Sequence, residues 1–176
     1  MNIRILTFDK APKERRDNAE ELGKLLDTKP YIGGTDTLTN FINICNSVGQ
    51  NDLLYLEDDV QICSEFPIRI KEAIEEYPNK VITFFYPNSC NKRPVEIGFS
   101  DYRYSQCVYI PNKYINQLIE LEPRFRSRYF IHNDWERIFR LLRGTYIRYF
   151  PHLVQQYEWK STIFNIVDKP SKYFVG

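Results

Sequence analysis

Several motifs that identify large classes of nucleotide-binding protein are missing from this chain. It contains only 7 glycines in 176 residues, and neither a G-x-x-x-x-G-K nor a G-x-G-x-x-G segment occurs. A P-loop and a dinucleotide-binding fingerprint are therefore excluded. No apolar run approaches the length of about 18 residues that spans a bilayer, so we expect no transmembrane helix. Charged residues within the first ten positions argue against a signal peptide.

Neither the charge nor the cysteines indicate a specialised class. The chain has 24 Lys and Arg against 23 Asp and Glu, a net charge of +1, which does not by itself indicate a nucleic acid or a membrane partner. The four cysteines, Cys45, Cys63, Cys90 and Cys107, are far apart and form no C-x-x-C pair. We expect buried, reduced thiols and a cytoplasmic protein.

The apolar residues that are present alternate between strand and helix patterns. Residues 3–8, 53–56 and 81–86 are short apolar runs typical of buried strands, and helix-spaced segments lie between them. This alternation predicts an α/β domain of three layers with a mainly parallel central sheet. A chain of 176 residues suits one domain, so we predict a single domain over 1–176.

Some local features give finer expectations. Ser64 is a candidate cap for a third helix, which Pro78 would end. Residues 87–104 are polar and aromatic and form the longest predicted loop. Around residues 124–129, arginines alternate with other side chains, which is typical of a solvated strand.

Three acidic residues, Glu57, Asp58 and Asp59, directly follow the apolar strand at 53–56. In open α/β sheets, ligands bind beyond the carboxyl ends of the strands. Strand alternation predicts that Glu57 and Asp59 point one way and Asp58 the other. Converging carboxylates with no His or Cys nearby suit Mg²⁺ or Mn²⁺. The alternative is a solvated acidic loop.

The segment L-Y-L-E-D-D-V at 54–60 resembles the metal-binding D-x-D segment of GT-A fold glycosyltransferases, especially the lipopolysaccharide-type branch and small phage or bacterial members. Other segments resemble this family in the expected order along residues 3–161. They are Asp9 with Arg15 and Arg16, the strand at 104–111, the acidic motif at 132–136, and the segment at 151–156.

This resemblance implies transfer of a sugar from a nucleotide-diphosphate donor to an acceptor hydroxyl. The family pattern implies donor contacts by Asp9, Arg15, Arg16 and Asp58, and a catalytic base at Asp134. It further implies a Mn²⁺ or Mg²⁺ ion held by Glu57 and Asp59. The chain departs from the pattern where the family has a late metal-binding His, because Gln156 stands there; His152 would have to supply the third ligand.

A second group of residues concerns the acceptor. Arg126 and Arg128 belong to a run in which arginines alternate with Phe125, Ser127 and Tyr129. Arginines interleaved with aromatic rings bind phosphates and stack on bases or sugars. The acceptor would then be an anionic glycan or a nucleic acid with a hydroxymethylated base. The alternative is a solvated surface with no binding role.

Two other functions use the same residues. A nucleotidyltransferase or nuclease would bind Mg²⁺ through the acidic triplet, but it would need a further carboxylate cluster at another strand end. A non-catalytic carbohydrate-binding or nucleic-acid-binding module would explain Gln156 in place of the expected His.

Overall fold

The computed structural model describes residues 1–86, 92–128, 135–157 and 174–175. The strands are β1 (Asn2–Phe8), β2 (Tyr31–Gly33), β3 (Leu53–Glu57), β4 (Val60–Ile62), β5 (Val81–Thr83), β6 (Val95–Gly98), β7 (Cys107–Ile110), β8 (Thr145–Arg148) and β9 (Val154–Gln156). The helices are α1 (Lys13–Leu25), α2 (Thr37–Ser47), α3 (Phe66–Glu76) and α4 (Asn112–Arg128), with 3-10 helices at Phe99–Asp101 and Trp135–Leu141.

Seven strands form one sheet in the order β2-β1-β3-β7-β5-β8-β6, and β4 pairs with β9 in a small second sheet. Strands β1, β2, β3, β5 and β8 run in one direction, while β6 and β7 run against them. The predicted α/β class is confirmed, but the sheet is mixed. The reversed strand β7 lies in its middle and makes both of its neighbouring pairs antiparallel.

Helices cover both faces of the large sheet, as the three-layer prediction requires. Strand alternation in β3 sends Leu53 and Tyr55 into a first core with α2, α4 and the second 3-10 helix. It sends Leu54 and Leu56 into a second core with α1 and α3. Because β3 is buried on both faces, its sequence is apolar without interruption until Glu57.

Three local predictions were wrong. The expected loop at 87–104 contains β6 and the first 3-10 helix, because β6 is an edge strand with little apolar sequence. The arginine-rich run near residue 126 is the last part of α4, which continues past Pro123. Helix α3 starts at Phe66 after Glu65, and Ser64 does not cap it.

The strand order reverses its direction at β1. From β1 the chain passes through α1 to β2 on one side, then through α2 to β3 on the other side of β1. In α/β proteins, ligands bind beyond the carboxyl ends of the strands at such a reversal. The acidic triplet follows β3 at this point.

Two expectations from the composition concern the cysteines and membrane-spanning helices. Cys45, Cys63 and Cys107 are buried free thiols, as expected; Cys90 lies outside the described residues. In the part of the chain that the structure describes, no helix combines the length and apolar character needed to cross a membrane.

Candidate functional site

The acidic triplet forms the end of β3 and the turn that follows it. Glu57 is the last residue of β3, while Asp58 and Asp59 form the turn before β4. The turn ends the strand alternation, so Asp58 does not point away from Asp59 as predicted. Both carboxylates instead contact one guanidinium, that of Arg15.

Arg15 is the positive centre of the site. It projects from the first turns of α1, and only 4% of its surface is exposed. Its Nε lies 2.7 Å from Asp58 Oδ1, its Nη2 also contacts that oxygen, and the same Nη2 lies 3.1 Å from Asp59 Oδ2. Burial disfavours the charged guanidinium, but Asp59 and Asp58 outweigh this effect and raise the pKa of Arg15.

Asp58 is saturated by contacts within the protein. Thr7 of β1 donates its hydroxyl to Asp58 Oδ2 at 2.6 Å, and Arg15 takes the other oxygen. One turn after Arg15, Asn18 donates its side-chain amide to the carbonyls of Asp58 at 2.8 Å and Val60 at 3.0 Å. Asp58 therefore connects β1, α1 and the turn, and both of its carboxylate oxygens are occupied.

Asp59 has one carboxylate oxygen to spare. Its Oδ2 accepts from Arg15 and from the Nε2 of Gln156 at 3.2 Å, and its carbonyl accepts from the backbone N–H of Tyr157 at 2.8 Å. Oδ1 is buried and has no hydrogen-bond partner among the described residues. A buried hydrogen-bond acceptor without a donor lowers the free energy of unfolding by about 1–3 kcal/mol. This oxygen is therefore the strongest indication of a ligand at this end of the sheet.

Glu57 lies beside Asp59 and is half-buried. Burial and the charge of Asp59 raise the pKa of Glu57 well above its ordinary value, although Arg15 acts against them. The backbone N–H of Glu57 donates to the carbonyl of Gln106, which places Glu57 next to the start of β7. The guanidinium of Arg15 is thus the one positive group beside three acids in this poorly solvated part of the described structure.

These residues fit a divalent cation in two respects. A cation would give Asp59 Oδ1 a partner and would offset the excess negative charge of Glu57, Asp58 and Asp59. All the donors are hard oxygens, the type that Mg²⁺ and Mn²⁺ prefer. Across the described ranges, however, no group of three or more His, Cys, Asp or Glu side chains is arranged to hold a metal. Of the residues that the structure describes, Asp59 and Glu57 are the candidate ligands.

The structure does not bring His152 to this group. His152 is four residues before Gln156, which pairs with Val60 beside the triplet. Its imidazole is buried near the rings of Phe85 and Phe150, and burial lowers its pKa to about 4. The position where the family has its late His does contact Asp59, but Gln156 occupies it and donates an amide there.

The remaining predicted residues divide into three groups. Asp9 and Arg16 have exposed side chains near the start of α1. Arg126 contacts Asp36 at 3.2 Å, Thr39 at 2.6 Å and also Glu122, so it connects α4 to the start of α2. The predicted base Asp134 and the side chain of Arg128 lie outside the described residues.

Glu136 makes a contact that the sequence analysis did not predict. Its Oε2 accepts from the backbone N–H of Tyr104 at 2.8 Å and lies 3.4 Å from the Ser105 hydroxyl. The same segment continues to Gln106, whose carbonyl accepts from the N–H of Glu57, so the second 3-10 helix lies near the end of β3. Tyr104 has a φ of +64°, which is uncommon for a residue other than glycine. Nothing local in the sequence indicates this contact.

The sequence signal for Asn18 and Thr7 was present but weak. Asn18 lies three residues after Arg15 on the inward face of α1, beside the apolar Ala19 and Leu22. A polar pair on the buried face of an amphipathic helix indicates buried hydrogen-bond partners. Thr7 is similarly a polar residue within a buried strand.

Comparisons with solved structures indicate a known fold. The chain is similar to A197 from STIV, with a TM-score of 0.54 and 10% sequence identity over 89% of this chain and 86% of that one. It also matches a glycosyltransferase involved in the glycosylation of the major capsid of PBCV-1, with a TM-score of 0.41 and 14% identity over 73% and 69% of the two chains. A TM-score of 0.41 is too low to indicate a common fold. No protein-family model and no curated protein matches the chain.

Proposed function

We propose that this protein is a glycosyltransferase that moves a sugar from a nucleotide-diphosphate donor to an acceptor hydroxyl. The observation that carries the proposal is the buried Oδ1 of Asp59, which has no partner among the described residues and lies in the turn after β3. The resemblance of residues 54–60 to the D-x-D segment of GT-A enzymes supports the same assignment.

In this proposal Asp59 and Glu57 hold Mn²⁺ or Mg²⁺, which would neutralise the leaving diphosphate. Arg15 has a positioning role, because its guanidinium is occupied by Asp58 and Asp59 and holds the turn in place. Arg16 and Asp9, exposed near the start of α1, are the side chains proposed to contact the donor.

The reaction breaks the bond between the anomeric carbon and the diphosphate oxygen and forms a bond from that carbon to the acceptor oxygen. The acceptor proton passes to a carboxylate. Asp134 is the proposed base, and Asp134→Asn should then reduce turnover by about 10²–10⁴-fold while donor affinity stays the same.

Thermal shift with nucleoside diphosphates, with and without Mn²⁺, tests the proposal. A nucleotide that raises the unfolding temperature only when Mn²⁺ is present supports it, and Asp59→Asn should abolish that rise. Asp17→Asn removes an exposed carboxylate from α1 and is the matched control. If Asp59→Asn keeps the full metal-dependent shift, the assignment of the metal site is wrong.

Gln156 favours one alternative, a carbohydrate-binding or nucleotide-binding module that works without a metal. Its amide already donates to Asp59 Oδ2. Nucleotide binding that is the same with and without Mn²⁺ would support this module. The comparison of Gln156→His with wild type adds a second test, because a histidine here should tighten Mn²⁺ binding only if Asp59 is a ligand.

A further inference from the structure

Five arginines lie around the second 3-10 helix and the end of β8, and we call this surface the arginine face. Four of the side chains are exposed and that of Arg148 is half-exposed. The members are Arg103, Arg137, Arg140, Arg143 and Arg148.

Three of these arginines recur at the interval of a 3-10 helix. Arg137 and Arg140 lie within the helix, and Arg143 follows its end. With three residues per turn and a rise of about 2 Å per residue, side chains three apart lie above one another at intervals of about 6 Å. Ile138 and Phe139 point into the first core instead. Arg137 and Arg140 therefore lie on one exposed edge of the helix, and Arg143 follows two residues beyond its end.

Contacts with a neighbouring segment join these residues to the other arginines. Arg140 Nε donates to the carbonyl of Tyr102 at 3.2 Å, and Arg148 Nη2 donates to the carbonyl of Asp101 at 2.8 Å. The two carbonyls belong to consecutive residues, and Arg103 is the next residue in the chain. The arginines thus form one continuous surface.

This surface carries more positive than negative charge. Its five arginines have two neighbouring acids among the described residues, Asp101 and Glu136. Among the described residues, Arg103, Arg140, Arg143 and Arg148 form no salt bridge. Uncompensated charge of one sign attracts an oppositely charged partner and speeds its association.

Aromatic rings continue the arginine face toward the acidic triplet. The guanidinium of Arg148 lies 3.8 Å from the ring centroid of Tyr86, and Tyr86 contacts Tyr104 edge-on at 4.9 Å. Two residues after Tyr104, the carbonyl of Gln106 accepts from the backbone N–H of Glu57. A polymer that lies along the arginines would therefore reach the proposed reaction centre.

We propose that the arginine face binds the phosphate backbone of a single-stranded nucleic acid and presents it as the acceptor. The acceptor role rests on the proposed function, while the binding does not. Guanidinium forks bind phosphate oxygens in pairs, and several clustered arginines suit a polymer with one charge per nucleotide. Half-exposed tyrosines beside arginine are typical of single-strand binding surfaces. An acidic glycan lacks the planar bases that stack on aromatic side chains, so it matches the tyrosines beside the arginines less well.

Fluorescence anisotropy with a labelled 20-nucleotide oligothymidine, over a salt series from about 50 to 200 mM, tests the binding. The variant is Arg103→Glu with Arg143→Glu, because neither side chain forms a hydrogen bond or an ion pair within the described part of the chain. The control is Lys24→Glu with Lys29→Glu, which changes the net charge equally near β2, at the other edge of the sheet. Unfolding temperatures verify that both variants fold, and Arg103→Gln with Arg143→Gln replaces the first variant if it does not.

We expect the arginine variant to bind at least about tenfold more weakly. The slope of log affinity against log salt should become shallower by about 1.4, because each lost phosphate contact contributes about 0.7. The lysine control should keep the wild-type slope. Absence of binding at the lowest salt, or equal losses in both variants, would overturn the proposal. Displacement by polygalacturonate at a lower charge concentration than by unlabelled oligothymidine would assign the surface to an acidic glycan instead.

The two proposals fail separately. Oligothymidine binding that persists without any nucleotide-dependent thermal shift would contradict the glycosyltransferase assignment and leave the arginine face as a nucleic-acid surface. A Mn²⁺-dependent nucleotide shift in a protein that does not bind oligothymidine would contradict only the arginine-face proposal.

Discussion

The buried guanidinium of Arg15 contacts both aspartates of the turn, but their roles differ. Arg15 and Thr7 together occupy both carboxylate oxygens of Asp58, whereas Arg15 and Gln156 occupy only one oxygen of Asp59. Breaking a buried ion pair costs about 3–5 kcal/mol because the remaining charge loses its partner. Asp58 therefore contributes to stability, and Asp59 is the residue available to a ligand.

The first prediction compares Asp58→Asn with Asp59→Asn by urea unfolding. Asp58→Asn should lower the free energy of unfolding by about 3 kcal/mol, since it weakens the contacts to Thr7 and Arg15. Asp59→Asn should cost clearly less, because it also relieves repulsion from Glu57. A larger loss for Asp59→Asn would show that Asp59 is the structural member of the pair.

A second prediction at the residue scale concerns His152. Its folded pKa is about 4 and its ordinary value is 6.5, because burial disfavours the imidazolium. The unfolded chain therefore binds this proton first as the pH falls, and stability declines from pH 6.5 down to about pH 4. The total loss attributable to His152 is about 3 kcal/mol.

The measurement for His152 is unfolding free energy against pH for wild type and His152→Leu. The variant should show a shallower decline between pH 6.5 and 4, while both proteins behave alike above pH 7. Parallel curves over the whole range would mean that His152 is protonated in the folded protein, as would suit a more solvated position.

At the scale of elements, β2 lies close to α2 at Gly33. A Cβ on Gly33 would come within 2.5 Å of the side chain of Asn40, which donates to the carbonyl of Gly34 at 2.7 Å. A Cβ on Gly34 would meet nothing within 4 Å. Gly33→Ala should therefore cost about 1–3 kcal/mol of unfolding free energy. Gly34→Ala should change it by less than about 0.5 kcal/mol. Equal effects in chemical denaturation would mean that Asn40 moves aside freely.

The contact between α4 and α2 gives a further prediction. Asp36 caps α2, and although burial acts in the opposite direction, bonds from Thr39 and Arg126 lower the pKa of Asp36. Arg126→Gln should reduce unfolding free energy by about 1 kcal/mol without changing nucleotide affinity. Arg124→Gln, on the exposed side of α4, is the control and should have little effect. Weaker nucleotide binding by Arg126→Gln at unchanged stability would instead support the substrate-binding role predicted from the sequence.

At the scale of the molecule, the two cores share one sheet, and β3 and β7 contribute side chains to both. We expect them to unfold together. In a Trp159→Phe background, fluorescence of Trp135 follows the first core, and mass-resolved thiol labelling of Cys63 and Cys107 follows the second. Both probes should give one urea midpoint. Distinct midpoints would contradict the prediction of a single domain over residues 1–176.

Much of the fold follows from local patterns in the chain. Mainly apolar runs predicted β1 and β3, and helical spacing predicted α1 and α2 within one or two residues. Strand β6 could not be predicted in this way, because an edge strand buries little and carries little apolar signal. The alternating arginines near residue 126 suggested a strand. The segment is helical, and Arg126 contacts Asp36 and Glu122 from α4.

The sequence by itself determined that carboxylates follow a buried strand, since apolar residues next to acidic ones specify where a strand leaves the core. It also determined the α/β class. Only the tertiary structure decided which carboxylate has a free oxygen, because Thr7, Arg15 and Gln156 are between 43 and 97 positions from their partners in the turn. The arginine face likewise depends on the tertiary structure, because the carbonyls of Asp101 and Tyr102 bring Arg148 and Arg140 together from separate elements.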